Sequence, residues 1–475
     1  MTDTTLTSRA IESVVRLDAL MDELAGLRAA VAATMPGIVA DLERLVAIPS
    51  CAFPGFPAEP VLAMADATVE LLRRSGLTDA RLVEVANGYP MVFGEIPAPP
   101  GAPTVLLYAH YDVQPAPDGQ GWRTDPWTPT TVDGRLYGRG AADDKSGIAL
   151  HAATLQVFNG RPPVGVKVVI EGEEETDSHL DSLVATDPEL FDADVFVIGD
   201  GGNEEVGVPV IEISTRGFVA FDVDVAALEQ PVHSGLFGGG APDALLALIR
   251  MLATLHDDEG TVAVRGLTGF DWRGGQTDEQ LLRRAAGVLD GVSLVGAGPL
   301  ADRLWSQPAI SVIGLDAPRV TGAVNALVPR ARATVSLRIP PGADPNVEAK
   351  VLQEHLRSVT PWGVHVDFGP VATGAPWRTN EDGPAIMGAR RAMHDVYGTE
   401  PQFIGSGGSI PLLNALQQVN PAAEFVLWGA EDGAEANIHS GNESVDLAEL
   451  ERAITAQCRL LALLGEAESA PEPGR

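Results

Sequence analysis

The run Val105-Leu106-Leu107-Tyr108-Ala109-His110-Tyr111-Asp112 decides the fold: an apolar strand that delivers a His and an Asp at its carboxyl end. Such side chains suit zinc or manganese. Asp112, two residues past His110 on the same side of an extended chain, is placed to take that ring's other N–H. A turn-rich loop with Pro115, Pro117, Asp118 and Gly119 returns through Leu136-Tyr137-Gly138-Arg139-Gly140 to Asp143-Asp144-Lys145-Ser146-Gly147. Three further apolar runs have the same form. Val166, Val168, Val169 and Ile170 lead into Glu171-Gly172-Glu173-Glu174-Glu175; Val195 to Ile198 lead into Gly199-Asp200; and Phe425, Val426 and Leu427 lead, after a loop, to His439. Alone, Glu171 to Glu175 reads equally well as a solvated acidic loop in a chain with 65 acids and 32 bases, and His110 as a hydrogen-bonded structural residue. Because sites in open α/β sheets form at the carboxyl ends of strands, four such ends in one chain point to a metal cluster.

The runs Ala109-His110-Tyr111-Asp112-Val113-Gln114-Pro115, Leu136 to Gly140 with Asp143 to Gly147, Glu171 to Glu175, Gly199-Asp200 and His439-Ser440 resemble, in order and spacing, the M20 family of metallopeptidases. The likeness is to its dipeptidase branch, with carnosinase-like enzymes, and covers nearly the whole chain. It implies an α/β fold: a discontinuous two-metal hydrolase catalytic domain, residues 1–215 with N-terminal helices and residues 378–475, interrupted by an inserted α+β lid and dimerisation domain over 216–377. It also implies two divalent ions per subunit, zinc first and manganese or cobalt otherwise. His110, Asp143 and Asp200 would hold one ion and Asp143, Glu175 and His439 the other, with Asp143 bridging. Glu174 would be the general base toward a water set between ions ~3.5 to 4 Å apart, with Asp112 behind His110. The family's cis peptide after the bridging Asp falls on Asp143–Asp144.

By the same resemblance, His233 stabilises the oxyanion from the other subunit of a homodimer. Arg338 grips a free carboxylate, for which a guanidinium fork is well shaped. Gly407, Gly408 and Ser409 bring backbone N–H groups to that carboxylate. Without the motifs His233 would read as an exposed loop His and Arg338 as a surface strand residue. The chain departs from the family in two places. Ser406 stands where many dipeptidases have an acid; Asn325 lies four residues before Pro329, where relatives place a polar residue three before, at the position of Ala326.

The totals set bounds on the rest. A chain of 475 residues is long enough for two or three domains. Two cysteines, Cys51 and Cys458, make no disulfide framework and no thiolate metal site, and read as packing residues. The first ten residues lack a basic start followed by an apolar run, and no stretch is expected to reach the roughly 18 to 20 apolar residues of a membrane span. A cytoplasmic protein with no membrane partner is the expectation. A formal charge of −33 opposes nucleic acid as a partner.

Apolar spacing predicts two N-terminal helices broken at Pro36, a helix over 59–75, a strand over 82–92, a strand over 105–108, and a helix over 146–158. His151 falls inside that last helix and reads as a packing or surface residue; His179 lies in the loop after Glu175, near the cleft. From Arg216 the alternation of Phe218, Phe221, Val223 and Val225 predicts a half-exposed antiparallel strand and a new domain. That domain continues through a helix over 242–255, an irregular insertion over about 266–306, strands over 309–314 and 331–339, a helix over 348–359 and a strand over 364–368. Helices over 384–397, 412–417 and 447–464 follow. The leading reading is a metal-dependent hydrolase of dipeptides or short peptides with a free C-terminal carboxylate. The alternatives are an N-acyl amino acid amidohydrolase and a catalytically silent metal-binding or assembly protein; retention of Glu174, which binding metal does not require, argues against the last.

Overall fold

A computed structural model describes residues 3–467, apart from Asp177, Ser409 and Ala434, with the backbone alone for residues 3–20 and Ala467. Ser409, expected beside the substrate carboxylate, therefore lies outside the described residues. Helix α1 (Asp3–Val46) is one helix, not two: Pro36 sits inside it. A proline inside a helix costs ~3 kcal/mol, and here its exposed face carries no load. Val31, Ile38, Leu42 and Val46 are fully buried on the opposite face, so packing holds the helix straight through. Continuity also gives this helix, within Met21–Val46, an 18-residue stretch of mean hydropathy 1.2, long and apolar enough by length and composition to cross a membrane, contrary to expectation. Its buried stripe instead joins the protein's largest core, and Arg28 donates to the Asp395 and Val396 carbonyls.

Helix α2 (Glu59–Arg74) leads to strands β1 (Arg81–Val83) and β2 (Met91–Ile96), a hairpin turned at Asn87, whose φ is +66°, rather than one strand. Then come β3 (Thr104–His110), α3 (Lys145–Val157), β4 (Gly165–Glu171), β5 (Val195–Ile198) and β6 (Val210–Thr215). The chain next leaves this sheet for β7 (Gly217–Ala226), α4 (Ala244–Leu252), β8 (Ala309–Asp316), β9 (Arg330–Ile339), α5 (Pro345–Ser358), β10 (His365–Phe368) and β11 (Ala372–Gly374). It returns through β12 (Trp377–Arg378), α6 (Pro384–Tyr397), β13 (Gln402–Ser406), α7 (Pro411–Val419), β14 (Glu424–Leu427) and α8 (Leu447–Ala467).

The fold is thus α/β with an inserted α+β unit. Among the described residues the first sheet has nine strands in the order β1-β2-β4-β3-β5-β14-β6-β12, with β13 on β6. Its centre, β4-β3-β5-β14, is parallel. Both faces are covered, as parallel sheets require. Val105, Leu107 and Ala109 enter the core under α1, α3 and α8, while Leu106 and Tyr108 enter the one under α7. The second sheet, β8-β9-β7-β10 with β11 on β7, is antiparallel and covered on one face only. Accordingly β7 alternates strictly, with Val219, Phe221, Val223 and Val225 buried against Leu248, Leu352 and Leu356. The insertion after α4 contains a short helix, Glu279–Ala285, and packs on the first unit: Trp272 and Trp305 meet edge to face at 5.3 Å in the large core.

Candidate metal centre

Parallel register sets the site. β3 ends at His110, level with Glu171 at the end of β4, and β5 ends two residues before Asp200. The Asp143 loop precedes α3, and the His439 loop follows β14. His110 is fully buried; its Nε2 lies 2.9 Å from Asp143 Oδ1 and 3.8 Å from Asp200 Oδ1. The other Asp143 oxygen, Oδ2, lies 2.9 Å from His439 Nε2, which is 3.1 Å from Glu175 Oε2. His110, Asp143 and Asp200 therefore form one group that can hold a metal ion, and Asp143, Glu175 and His439 a second. Each oxygen of Asp143 faces a different imidazole.

The frame holding this cluster is built from backbone N–H groups that meet buried carboxylates. Asp144 Oδ1 caps α3 at Gly147 N–H (3.0 Å), and its Oδ2 accepts the His110 N–H (3.1 Å). Asp112 accepts the N–H groups of Glu174 and Glu175 at 3.1 Å each, besides standing 3.4 Å from His110 Nδ1. It thus fixes the acidic loop as well as the ring, a role its spacing from His110 does not announce. Glu443 accepts the N–H groups of Ala142 and Asp143 (3.1 and 3.2 Å) and pairs with Arg139 at 2.6 Å, tying the Asp143 and His439 loops together. Glu443, in the same loop as His439, carries no signal in the sequence that marks this role. The Asp143–Asp144 peptide is cis, as the resemblance implied. Gln114 donates to Glu175 Oε2 at 2.7 Å, and fully buried Lys145 donates to the Leu45 and Ile48 carbonyls (3.0 and 2.7 Å), locking the end of α1 to the loop.

Electrostatics match a cation site. Asp143, Glu174, Glu175 and Asp200 converge with two imidazoles, and among the described residues no Lys or Arg forms an ion pair with them. Hydrogen bonds to Asp143 and Glu175 push His439 up to about 10. Burial opposes protonation of His110, but its bonds to Asp112 and Asp143 outweigh burial and raise it well above the usual range. Burial likewise works to raise Asp143, yet the two imidazoles hold it below the usual carboxylate range. Asp200, with less compensation, is pushed up to about 7 by burial. Glu174 is raised by burial first and by the Asp200 charge next. The nitrogen and oxygen donors, the excess of negative charge and the buried setting fit divalent metal.

The remaining predicted residues lie elsewhere. His233 is exposed, in a two-stranded ribbon, Val232–His233 with Ala326–Leu327, where its Nδ1 accepts the Gly235 N–H at 3.0 Å. Asn325 is exposed beside it, its carbonyl accepting the Ser234 N–H. No hydrogen bond or ion pair among the described residues joins either to the cluster. Arg338 on β9 lies opposite Phe218, its guanidinium 5.8 Å from the ring centroid. The Gly408 N–H is taken by Ser406 Oγ at 3.2 Å. His151 is fully buried: Nε2 bonds the Tyr108 carbonyl at 2.8 Å, and Nδ1 receives Gln457 at 3.1 Å. His179 pairs with Glu173 at 3.0 Å.

Residues 106–463 match the model of Peptidase family M20/M25/M40. The chain belongs to this family. It is 42% identical over 373 residues to a cysteinylglycine-S-conjugate dipeptidase of Corynebacterium striatum, covering 77% of this chain and 82% of that one. A Beta-Ala-His dipeptidase of Rattus norvegicus is 31% identical over 381 residues, 75% of this chain and 76% of that one. The crystal structure of human carnosine dipeptidase 1 superposes with a TM-score of 0.76 at 26% identity, covering 93% of this chain and 99% of that one.

Proposed function

We propose that this M20 peptidase is a cytoplasmic, homodimeric dipeptidase with two divalent ions, zinc by preference, held by His110, Asp143 and Asp200 and by Asp143, Glu175 and His439. The observation that carries the reading is the two-sided Asp143, one oxygen toward each imidazole. The dipeptidase relatives support the substrate class. When bound, such ions supply positive charge that polarises the scissile carbonyl and acidifies water. Glu174, its N–H anchored on Asp112, accepts the proton of the attacking water and passes it to the leaving amine; its raised affinity for a proton suits both transfers. Arg338, Gly408, Ser409 and Asn325 receive the C-terminal half of the substrate, and His233 steadies the oxyanion.

Dimerisation through the inserted unit, bounded near residues 215 and 377, is supported by what that unit leaves uncovered. Edge strand β8 exposes Val312, Ile313 and Leu315, and the His233 ribbon is flanked by exposed Leu236, Phe237, Val320 and Val324. Buried, unpaired Cys51 and Cys458 accord with a reducing compartment. Metal-reconstituted protein assayed against dipeptides, longer peptides and N-acyl amino acids tests the reading. Hydrolysis confined to N-acyl amino acids would replace it with an amidohydrolase.

A further inference from the structure

Arg216 stands where the chain leaves the first sheet for the second, between Thr215 at the end of β6 and Gly217 at the start of β7. Its backbone N–H is held by the Ser406 carbonyl at 3.2 Å, which fixes it beside the Gly407 loop. The side chain is half-buried, and Nε and Nη1 are enclosed with no hydrogen-bond partner. The third nitrogen, Nη2, points at Gly407, 3.1 Å from where a Cβ would stand, so the missing side chain leaves a space on that nitrogen. Burial lowers the guanidinium to about 10, and the charge that adds to this is another cation, Arg338. Among the described residues neither Arg216 nor Arg338 has a carboxylate partner. Two guanidiniums that feel each other's charge while neither is paired with an acid are unfavourable until an anion arrives.

We propose that Arg216 is the second guanidinium of a clamp on the substrate's C-terminal carboxylate, received at Gly407 between Arg216 Nη2 and Arg338. The proposal rests on the dipeptidase reading and adds a residue to it. A carboxylate there neutralises the mutual repulsion, so discrimination between a free C-terminus and a capped one depends on Arg216 as well as on Arg338. The test uses metal-reconstituted protein carrying Glu174→Gln, so that ligands bind without turnover, with Ala-Gly and its C-terminal amide titrated by calorimetry. In that background Arg216→Met weakens Ala-Gly by about tenfold or more, the scale of a lost charge-assisted hydrogen bond. The amide changes by much less, and Arg216→Lys recovers part of the loss. Equal weakening of both ligands, or no change in their ratio, overturns the clamp and leaves Arg216 a structural residue. Thermal melting of each variant separates that outcome from misfolding: removing an unpaired buried cation leaves the melting temperature level or higher. Turnover of Ala-Gly by the wild-type protein tests the dipeptidase reading separately, so clamp and reading can fail independently.

Discussion

The metal cluster and the His233 ribbon carry the two halves of the proposed chemistry, and they are built in opposite ways. His110, Asp143 and Glu175 sit at the ends of buried strands and in loops, their backbone N–H groups held by Asp144, Glu443 and Asp112 in turn. His233 ends one strand of a short ribbon and Asn325 precedes the other, both exposed and held by a few local bonds. Groups that must be placed to a fraction of an ångström are overdetermined within one subunit. Groups that must admit substrate and then close are left for something else to fix. The contrast predicts that damage to the first region is absolute, whereas damage to the second can be repaired from outside.

The largest effect is expected at Glu174. Glu174→Gln keeps the fold and its metal content but lowers turnover by about a thousandfold or more, because an amide cannot accept the water's proton. Elemental analysis beside the rate separates loss of the base from loss of metal, and near-normal turnover would remove Glu174 from the mechanism. The contrast is then broken or sharpened by mixed dimers. His233→Ala and Glu174→Gln homodimers are each nearly inactive. A heterodimer purified on two tags regains about half of wild-type activity, one competent site of two, if His233 serves its neighbour. A heterodimer no better than its parents would make His233 a residue of its own subunit.

The smallest effect reads the buried region through pH. Burial lowers His151 to about 4, against the bond to the Tyr108 carbonyl that works to raise it. Its folded affinity for protons is below the unfolded one, so the unfolded chain protonates first as pH falls. Stability is therefore full at neutral pH and is lost between about 6.5 and 4, by about 2 kcal/mol at pH 5. Denaturant melts of wild type and His151→Gln at pH 7 and 5 check this; equal acid losses in both would clear His151 of the effect.

Much of this was legible in the sequence because the chemistry sits at the ends of apolar strands. The runs before His110, Glu171 and Asp200 announce themselves by composition, and the parallel register brings their ends together. The alternation of β7 marked the inserted unit for the same reason. What stayed hidden depends on contacts between distant segments. Pro36 looked like a break because its cost is local while the buried stripe that offsets it is tertiary. Glu443 and Lys145 have no spacing signal, since their partners lie 300 and about 100 residues away. Arg216 has none either: that no acid among the described residues pairs with it is a fact of three dimensions.

The central claim, a metal-dependent dipeptidase with two ion positions sharing Asp143, is tested most directly by adding zinc or manganese in steps to chelator-treated protein. Dipeptide hydrolysis is read against ions bound per chain. The account predicts no hydrolysis without metal, full hydrolysis at two ions per chain, and in Asp143→Ala the loss of both bound ions together with activity. Full hydrolysis in the presence of chelator, or two tightly held ions in Asp143→Ala, would contradict it.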